Sequence, residues 1–312
     1  MIPKTILKRI DQKFSVLQAS RPLSASIVTK LKEQFSLELI YNSNAIEGNK
    51  LTLKETYLVI NDGLTVKGKS FKDHLEAKNH SEAVHFIYEL IEHQKRQTIS
   101  EQLVRSLQQL IVKDIEDKEA GKYRQGSVMI TGSKHQPPDA FEVPGLMQEM
   151  VTWVNKSINK LHPIELAALA HHRLVHIHPF TDGNGRTARL FMNLVLMQKG
   201  YPMVTILKND RQKYYRALEK ADIGHIEEIE KFVAQAVERS MNLYLKAINS
   251  GSNPKEKWVP LSTLSKQSKF SEKYLNLLAR SGKLEAHKEG RNWLSSKLSL
   301  ETYLAERERK RK

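Results

Sequence analysis

The 312-residue chain contains no cysteine. Disulfides, thiolate metal sites and cysteine nucleophiles are therefore excluded. It has no apolar run long enough to span a membrane, so no membrane partner is expected. Acidic residues are in deficit: 35 Asp and Glu face 50 Lys and Arg, a formal net charge of +15. That excess suits an acidic partner, a nucleic acid or plain solubility and does not choose among them. Met1 to Gln18 carries Lys4, Lys8 and Arg9 on an amphipathic pattern with no acid before Asp11. An ordinary first helix is expected there rather than a transit peptide; nothing resembles a secretory apolar segment, and the default location is cytoplasmic. Hydrophobic residues make up 40%. The length suffices for two domains, or one large domain with an appendage.

What is present is concentrated in one stretch, His178-Pro179-Phe180-Thr181-Asp182-Gly183-Asn184-Gly185-Arg186-Thr187-Ala188-Arg189. Pro163 to Ile177 runs into it with helical spacing, and Pro179 stops that helix at His178. Gly183 and Gly185 bracket Asn184, so the backbone can turn tightly and offer N–H groups to an anion. A second helix, Thr187 to Lys199, opens at Arg186 and ends at Gly200. A loop of N–H groups feeding a helix N-terminus is a phosphate cradle, and Arg186 and Arg189 add charge one turn apart. Asp182 suits Mg²⁺, which is commonly shared between carboxylate and phosphate oxygens. His178 can accept a proton near neutral pH. A base, a metal ligand and a phosphate nest together read as a nucleotide-transfer site. Gly183-x-Gly185-x-x-Ala188 also fits the dinucleotide fingerprint, but no strand-like run precedes it. His171, His172, His176 and His178 lack a second ligand group of matching character, so the first three read as helix and packing residues.

Residues 178–189 fill every specified position of His-x-Phe-x-(Asp/Glu)-Gly-Asn-Gly-Arg-x-x-Arg and resemble the signature of the Fic family. The resemblance implies an enzyme that moves AMP from ATP onto a hydroxyl side chain of a target protein. In that carry-over His178 deprotonates the hydroxyl and Asp182 holds Mg²⁺. Gly183, Asn184 and Gly185 grip the phosphates with the loop N–H groups, Arg186 binds the β-phosphate and Arg189 the γ-phosphate.

A helix expected over Ser24 to Ala45 ends in Ser43-Asn44-Ala45-Ile46-Glu47-Gly48, with Gly48 placed as its C-cap. Ser43 and Glu47 share a face. This resembles the family's inhibitory motif, (Ser/Thr)-x-x-x-Glu-(Gly/Asn), and implies that Glu47 pairs with Arg189 and blocks productive seating of the γ-phosphate. Gly63-Leu64-Thr65-Val66-Lys67-Gly68-Lys69-Ser70 is a literal P-loop match. Leu51 to Ile60 reads at least as well as a helix, however, and the chain lacks alternating βαβ units, so this is read as a connector. Helical patterns continue through Asp73–His93, Ser100–Ile115 and Gly145–Asn159. Ser127 to Val143 carries the best hairpin signal, Ser127–Ile130 against Ala140–Val143; the resemblance implies a flap that adds the target chain as an extra strand. Asn209 to Ala221 is a helix, where the resemblance brings Tyr215 and Asp222 near adenosine. Ile226 to Ile248 closes the core.

Ser250 to Pro254 is a linker by composition. From Lys255 to Lys312, 15 Lys and Arg face 7 acids, a net +8. Helices at Leu261–Gln267 and Ser271–Arg280, then a basic hairpin of Lys283–Ala286 and Asn292–Leu294, resemble a winged helix-turn-helix that binds DNA or protein. Arg307 to Lys312 is expected to fray. The expected fold is mostly α, a Fic-type helical core with a small β-hairpin flap plus the C-terminal winged helix. The segments are 1–110 (N-terminal helices, the inhibitory one at about 24–48), 111–250 (catalytic core) and 255–312. The leading function is a self-inhibited protein adenylyltransferase using ATP and Mg²⁺. AMP removal by the same site and a DNA-binding transcription regulator with the core as nucleotide sensor are the alternatives. A homodimer is left open.

Overall fold

Local signals start and stop most of the helices. Thr52 caps the helix behind it reciprocally: Glu55 N–H donates to Thr52 Oγ1 at 3.2 Å, and Thr52 N–H donates to Glu55 Oε2 at 2.7 Å. That capping box is a helix-start device, so the segment before the P-loop match is helical rather than a strand. Lys69 donates to Lys50 O at 2.7 Å and pairs with Glu55 at 3.2 Å. Ser70 Oγ accepts Asp73 N–H at 3.0 Å. The Lys-Ser end of the match is thus a helix cap with its lysine engaged on the protein's own oxygens.

The computed structural model describes residues 2–93, 98–130, 132–249, 258–289 and 291–309. Its packing forms two units, 32–233 and a second made of 1–31 with 234–312. The larger unit contains most of α2 (Ala25–Ile46), then α3 (Leu53–Asn61), α4 (Phe71–His93), α5 (Glu101–Val112), α6 (Val143–Ser157), α7 (Pro163–Ile177) and α8 (Asn184–Gln198). After a 3₁₀ turn at Lys208–Asp210 come α9 (Arg211–Asp222) and the start of α10 (Ile226–Asn249). Every residue of α8 from Arg186 to Met197 is buried. A helix buried all round is a core helix, and α4, α5 and α7 pack on it. The phosphate-cradle sequence therefore opens the central helix of the unit. No helix among the described residues is long and apolar enough to cross a membrane.

The smaller unit contains α1 (Lys4–Ala19), the rest of α10, β1 (Val259–Pro260), α11 (Leu261–Lys266), α12 (Glu272–Arg280), β2 (His287–Glu289), β3 (Asn292–Ser295) and α13 (Lys297–Arg309). The strands form an antiparallel sheet in the order β1-β3-β2, with Val259 opposite Ser295 and Lys288 opposite Trp293. Leu261, Leu264, Leu275, Leu278, Ala279, Leu284 and Leu300 make its core. Arg9 of α1 donates to both carboxylate oxygens of Glu238 on α10, at 2.7 and 2.8 Å, and to Gly282 O at 2.9 Å. Burial would raise the Glu238 pKa, but Arg9 and Lys13 outweigh it and hold the carboxyl below its ordinary value.

Several expectations are corrected. Ser127–Val143 forms no strand among the described residues. Ser133 N–H donates to Ile130 O at 3.0 Å, a turn, while 140–142 turn into α6. Arg124 holds Gly126 O and Pro138 O instead, at 3.0 and 2.5 Å. In the C-terminal hairpin the first strand lies at His287–Glu289 rather than at 283–286. The second core helix begins at Asn184, three residues before Thr187. The last helix runs to Arg309 instead of fraying from Arg307. The linker at 250–254 lies outside the described residues.

Candidate active site

The chain leaves α7 through His178, which sits in the left-handed region at φ 50°, ψ 57°. A non-glycine residue there is uncommon and held by its surroundings. Arg124 supplies the hold: its Nε donates to His178 O at 2.8 Å, and Nη2 lies 3.4 Å from Ile177 O. The same guanidinium donates to Gly126 O at 3.0 Å and Pro138 O at 2.5 Å. One buried arginine thus ties the main chain at Gly126 and Pro138 to the end of α7. An arginine that donates to main-chain carbonyls leaves no pattern in sequence, so nothing in the chain singles out Arg124.

The loop then turns at Gly183, φ 84°. A Cβ there would lie 3.1 Å from Val112 Cγ1 and 3.2 Å from Ile111 Cγ2. Both the conformation and the close approach of α5 therefore call for glycine. Asn184 braces the turn: its Oδ1 accepts Phe180 N–H at 2.9 Å, and its Nδ2 donates to Phe180 O at 2.7 Å. Its amide thus shapes the cradle, and the second Nδ2–H is a further donor. Gln108, another residue sequence gave no reason to select, donates to Asp182 O at 3.1 Å and accepts Gly121 N–H at 2.6 Å. Gly183 provides no capping side chain for α8, and an uncapped helix N-terminus attracts anions.

An anion is already there. A Cβ at Gly185 would overlap Glu47 Oε1, so the Glu47 carboxylate lies against the first turn of α8. Glu47 Oε1 accepts Arg189 Nη2 at 2.8 Å, Ser43 O accepts the same nitrogen at 2.9 Å, and Ser43 Oγ accepts Arg189 Nε at 2.9 Å. Arg189 is 1% exposed. Burial works against its charge, but Glu47 and Tyr214 outweigh it and raise its pKa. Gly48, at φ 104°, ends α2 one residue beyond Glu47. Arg186 is also buried, with Nη1 at 3.3 Å from Glu76 Oε1 and Nη2 at 3.4 Å from Asp182 Oδ1. Neither Arg186 Nε nor Arg189 Nη1 makes a hydrogen bond among the described residues. Both arginines thus keep a donor for another anion.

His178 Nδ1 lies 3.3 Å from Val175 O. A carbonyl only accepts, so Nδ1 carries the proton and Nε2 keeps the lone pair. Burial lowers the His178 pKa; Arg124 and His135 add to the shift, while the Val175 contact and Glu47 oppose it. The imidazole is therefore neutral at neutral pH. Asp182, 42% exposed at its side chain, accepts Gly183 N–H at 2.6 Å. Tyr215 is half-buried, its ring 4.7 Å from the Arg211 guanidinium. Asp222 turns instead to two histidines of α7: Oδ1 lies 2.9 Å from His172 Nε2 and 3.0 Å from His176 Nδ1. Burial raises its pKa, but these bonds outweigh it and hold the carboxyl well below the usual range.

The Fic/DOC family model matches residues 98–196, which include α5, α6, α7, the loop and most of α8. Among curated proteins, the chain is 38% identical over 240 residues to the protein adenylyltransferase Fic of Drosophila erecta, covering 77% of this chain and 48% of that protein. It is 38% identical over 249 residues to the protein of the same name from Nematostella vectensis, covering 78% and 56%. The chain thus spans about half the length of the curated relatives it matches. Among solved structures, Fic-1 from C. elegans has a TM-score of 0.72 at 29% identity over 79% of this chain and 74% of that one. A Fic-domain signalling protein from Bacteroides thetaiotaomicron has a TM-score of 0.72 at 32% identity over 80% of this chain and 99% of that one. With likeness over almost the whole of that bacterial protein, and the signature loop seated at the head of the central helix, the chain belongs to the Fic/DOC family.

Proposed function

We propose that the chain is a protein adenylyltransferase that restrains itself through Glu47. The observation that carries this reading is the Glu47 carboxylate lying against Gly185 in the anion-binding turn while bonded to Arg189. In the reaction, His178 Nε2 accepts the proton of a target hydroxyl. The oxygen bonds to the α-phosphorus of ATP, and the α–β bridging oxygen leaves with pyrophosphate. Arg186 and Arg189 bind the leaving phosphates, the first-turn N–H groups of α8 hold phosphate oxygens, and Tyr215 packs near adenosine. Asp222 is left out of the nucleotide contacts because its Oδ1 is shared by His172 and His176. The irregular chain between Arg124 and α6, with Met129 95% and Phe141 82% exposed, supplies main chain and apolar surface for a target strand. ATP labelled on the α-phosphate should label protein, and ATP labelled on the γ-phosphate should not. The opposite pattern would mean phosphoryl transfer and would overturn the reading.

Asp182 fits Mg²⁺: it is a partly exposed carboxylate beside the cradle, and the ion prefers one or two carboxylates together with phosphate oxygens. When bound, Mg²⁺ would neutralise charge on the leaving phosphates. Asp182→Asn should raise the Mg²⁺ concentration needed for half-maximal transfer by about tenfold or more, since a neutral amide is a poorer ligand for a hard cation. A Mg²⁺ titration of the variant that overlays the wild type would remove Asp182 from the metal site.

The His178 environment gives a pH dependence. A base with a lowered pKa stays neutral, and active, in more acidic solution than an ordinary histidine. The acid limb of kcat/KM, which reports the free enzyme, should therefore fall below the reference value of 6.5. Glu47 raises the His178 pKa, so Glu47→Gly should move the limb further down. A limb above 6.5 would contradict this assignment of the base.

A further inference from the structure

The histidines of α7 acquire in the fold the ligand group that sequence did not show. His135, from the segment after Arg124, stacks on His176 with ring centroids 4.0 Å apart. Asp222, from the last turn of α9, comes up against the same ring. One ligand atom from each of His135, His176 and Asp222 lies within 4.8 Å of the others. The geometry points to a divalent transition-metal site of the zinc class, with these three residues as ligands.

The donor chemistry fits. Two imidazoles and one carboxylate suit Zn²⁺ and its first-row neighbours and leave a fourth position for water. A chain without cysteine can build such a site only from these groups. The outer contacts are those that metal ligands commonly have. His135 Nε2 lies 2.8 Å from His176 O; the carbonyl can only accept, so His135 Nδ1 keeps the lone pair a metal needs. His172 Nε2 bonds Asp222 Oδ1 at 2.9 Å, orienting the carboxylate without joining the three ligands. An ion entering between His176 and Asp222 takes the place of the proton they share. Tetrahedral bonds of about 2.0–2.1 Å put ligand atoms about 3.3 Å apart, so the group must close inward. His135 lies on irregular chain, which can move toward the two helical ligands. Bound metal would fasten the 127–143 segment to the ends of α7 and α9, making the surface offered to a target metal-dependent. The site is defined by its own ligands and does not rest on the AMP-transfer reading.

The test uses the full chain without added histidines or nucleotide, titrated with Zn²⁺ alone by calorimetry. One ion should bind per chain. His135→Ala should weaken binding by well over ~100-fold, beyond the 10–100-fold typical of losing an outer contact. His135→Cys, which would carry the protein's single thiol, should restore binding and give Co²⁺ a thiolate-to-metal charge-transfer band in the near ultraviolet. Zn²⁺ should also slow tryptic cleavage after the exposed Lys134 in the wild type but not in His135→Ala. Equal Zn²⁺ affinity in wild type and His135→Ala, no stoichiometric binding by wild type, or Co²⁺ bound to His135→Cys without that band would each overturn the site.

Discussion

His178→Ala is expected to lower AMP transfer by about 10²–10⁴-fold, the usual range for losing a general base, while leaving ATP affinity nearly unchanged. The separation of the two effects follows from the geometry. His178 stands at the end of α7 with Nδ1 turned to Val175 O and Nε2 free to take a proton. The anion-binding groups are on α8, where Arg186 and Arg189 are held by Glu76, Asp182, Ser43 and Glu47. Alanine tolerates the left-handed conformation of His178 less well than histidine does, but Arg124 still binds the main-chain oxygen at 178, so the loop should survive. Single-turnover transfer and equilibrium binding of an ATP analogue, measured on the same preparations, separate chemistry from affinity. Lys69→Ala should behave as wild type in both, because Lys69 is tied to Lys50 O and Glu55. Reversed phenotypes would return the P-loop match to consideration.

Glu47→Gly is expected to raise self-labelling by about 10- to 100-fold. A hydrogen bond to a charged group contributes about 1.5–3 kcal/mol, and this one competes directly with a γ-phosphate for Arg189. The carboxylate also stands against Gly185, so a triphosphate cannot take that part of the cradle while Glu47 is present. A phosphate chain displaced there leaves its α-phosphorus out of line with the attacking oxygen, and misaligned reactants lose most of their rate. Glycine at 47 lies just beyond the last helical residue, Ile46, so its helix penalty should be below the ~1 kcal/mol of an interior site. Arg189→Ala breaks the same pair but removes a phosphate ligand, so it should not activate. Glu47→Gly/Arg189→Ala should match Arg189→Ala alone, and activation in that double variant would break the proposed link between the two residues.

The helices and the signature loop were legible because their causes are local. Pro163 and Pro179 bracket α7, Ser100 caps α5, and the apolar spacing of Leu31, Phe35 and Leu39 marks the face of α2 that is buried. The Glu47–Arg189 contact spans 142 positions in sequence and was reached only through resemblance. Contacts through main-chain carbonyls were illegible: Arg124 and Gln108 shape the loop with partners that any residue could supply. The 127–143 segment was misread because short apolar runs beside turn residues signal a strand only when a ladder partner is available. Here the main-chain oxygens of Gly126 and Pro138 accept from Arg124 instead. Asp222 illustrates a further limit, since a carboxylate's partner depends on which helix faces it, and α7 presents His172 and His176.

We propose a His178-dependent AMP transfer that Glu47 restrains. Its most direct test is self-labelling with α-labelled ATP in wild type, Glu47→Gly, His178→Ala and Glu47→Gly/His178→Ala, at equal concentration and with folding checked by circular dichroism. Wild type should label weakly, Glu47→Gly strongly, and either protein lacking His178 no more than background. Folded Glu47→Gly labelling no more than wild type, or the double variant labelling as strongly as Glu47→Gly, would contradict the proposal.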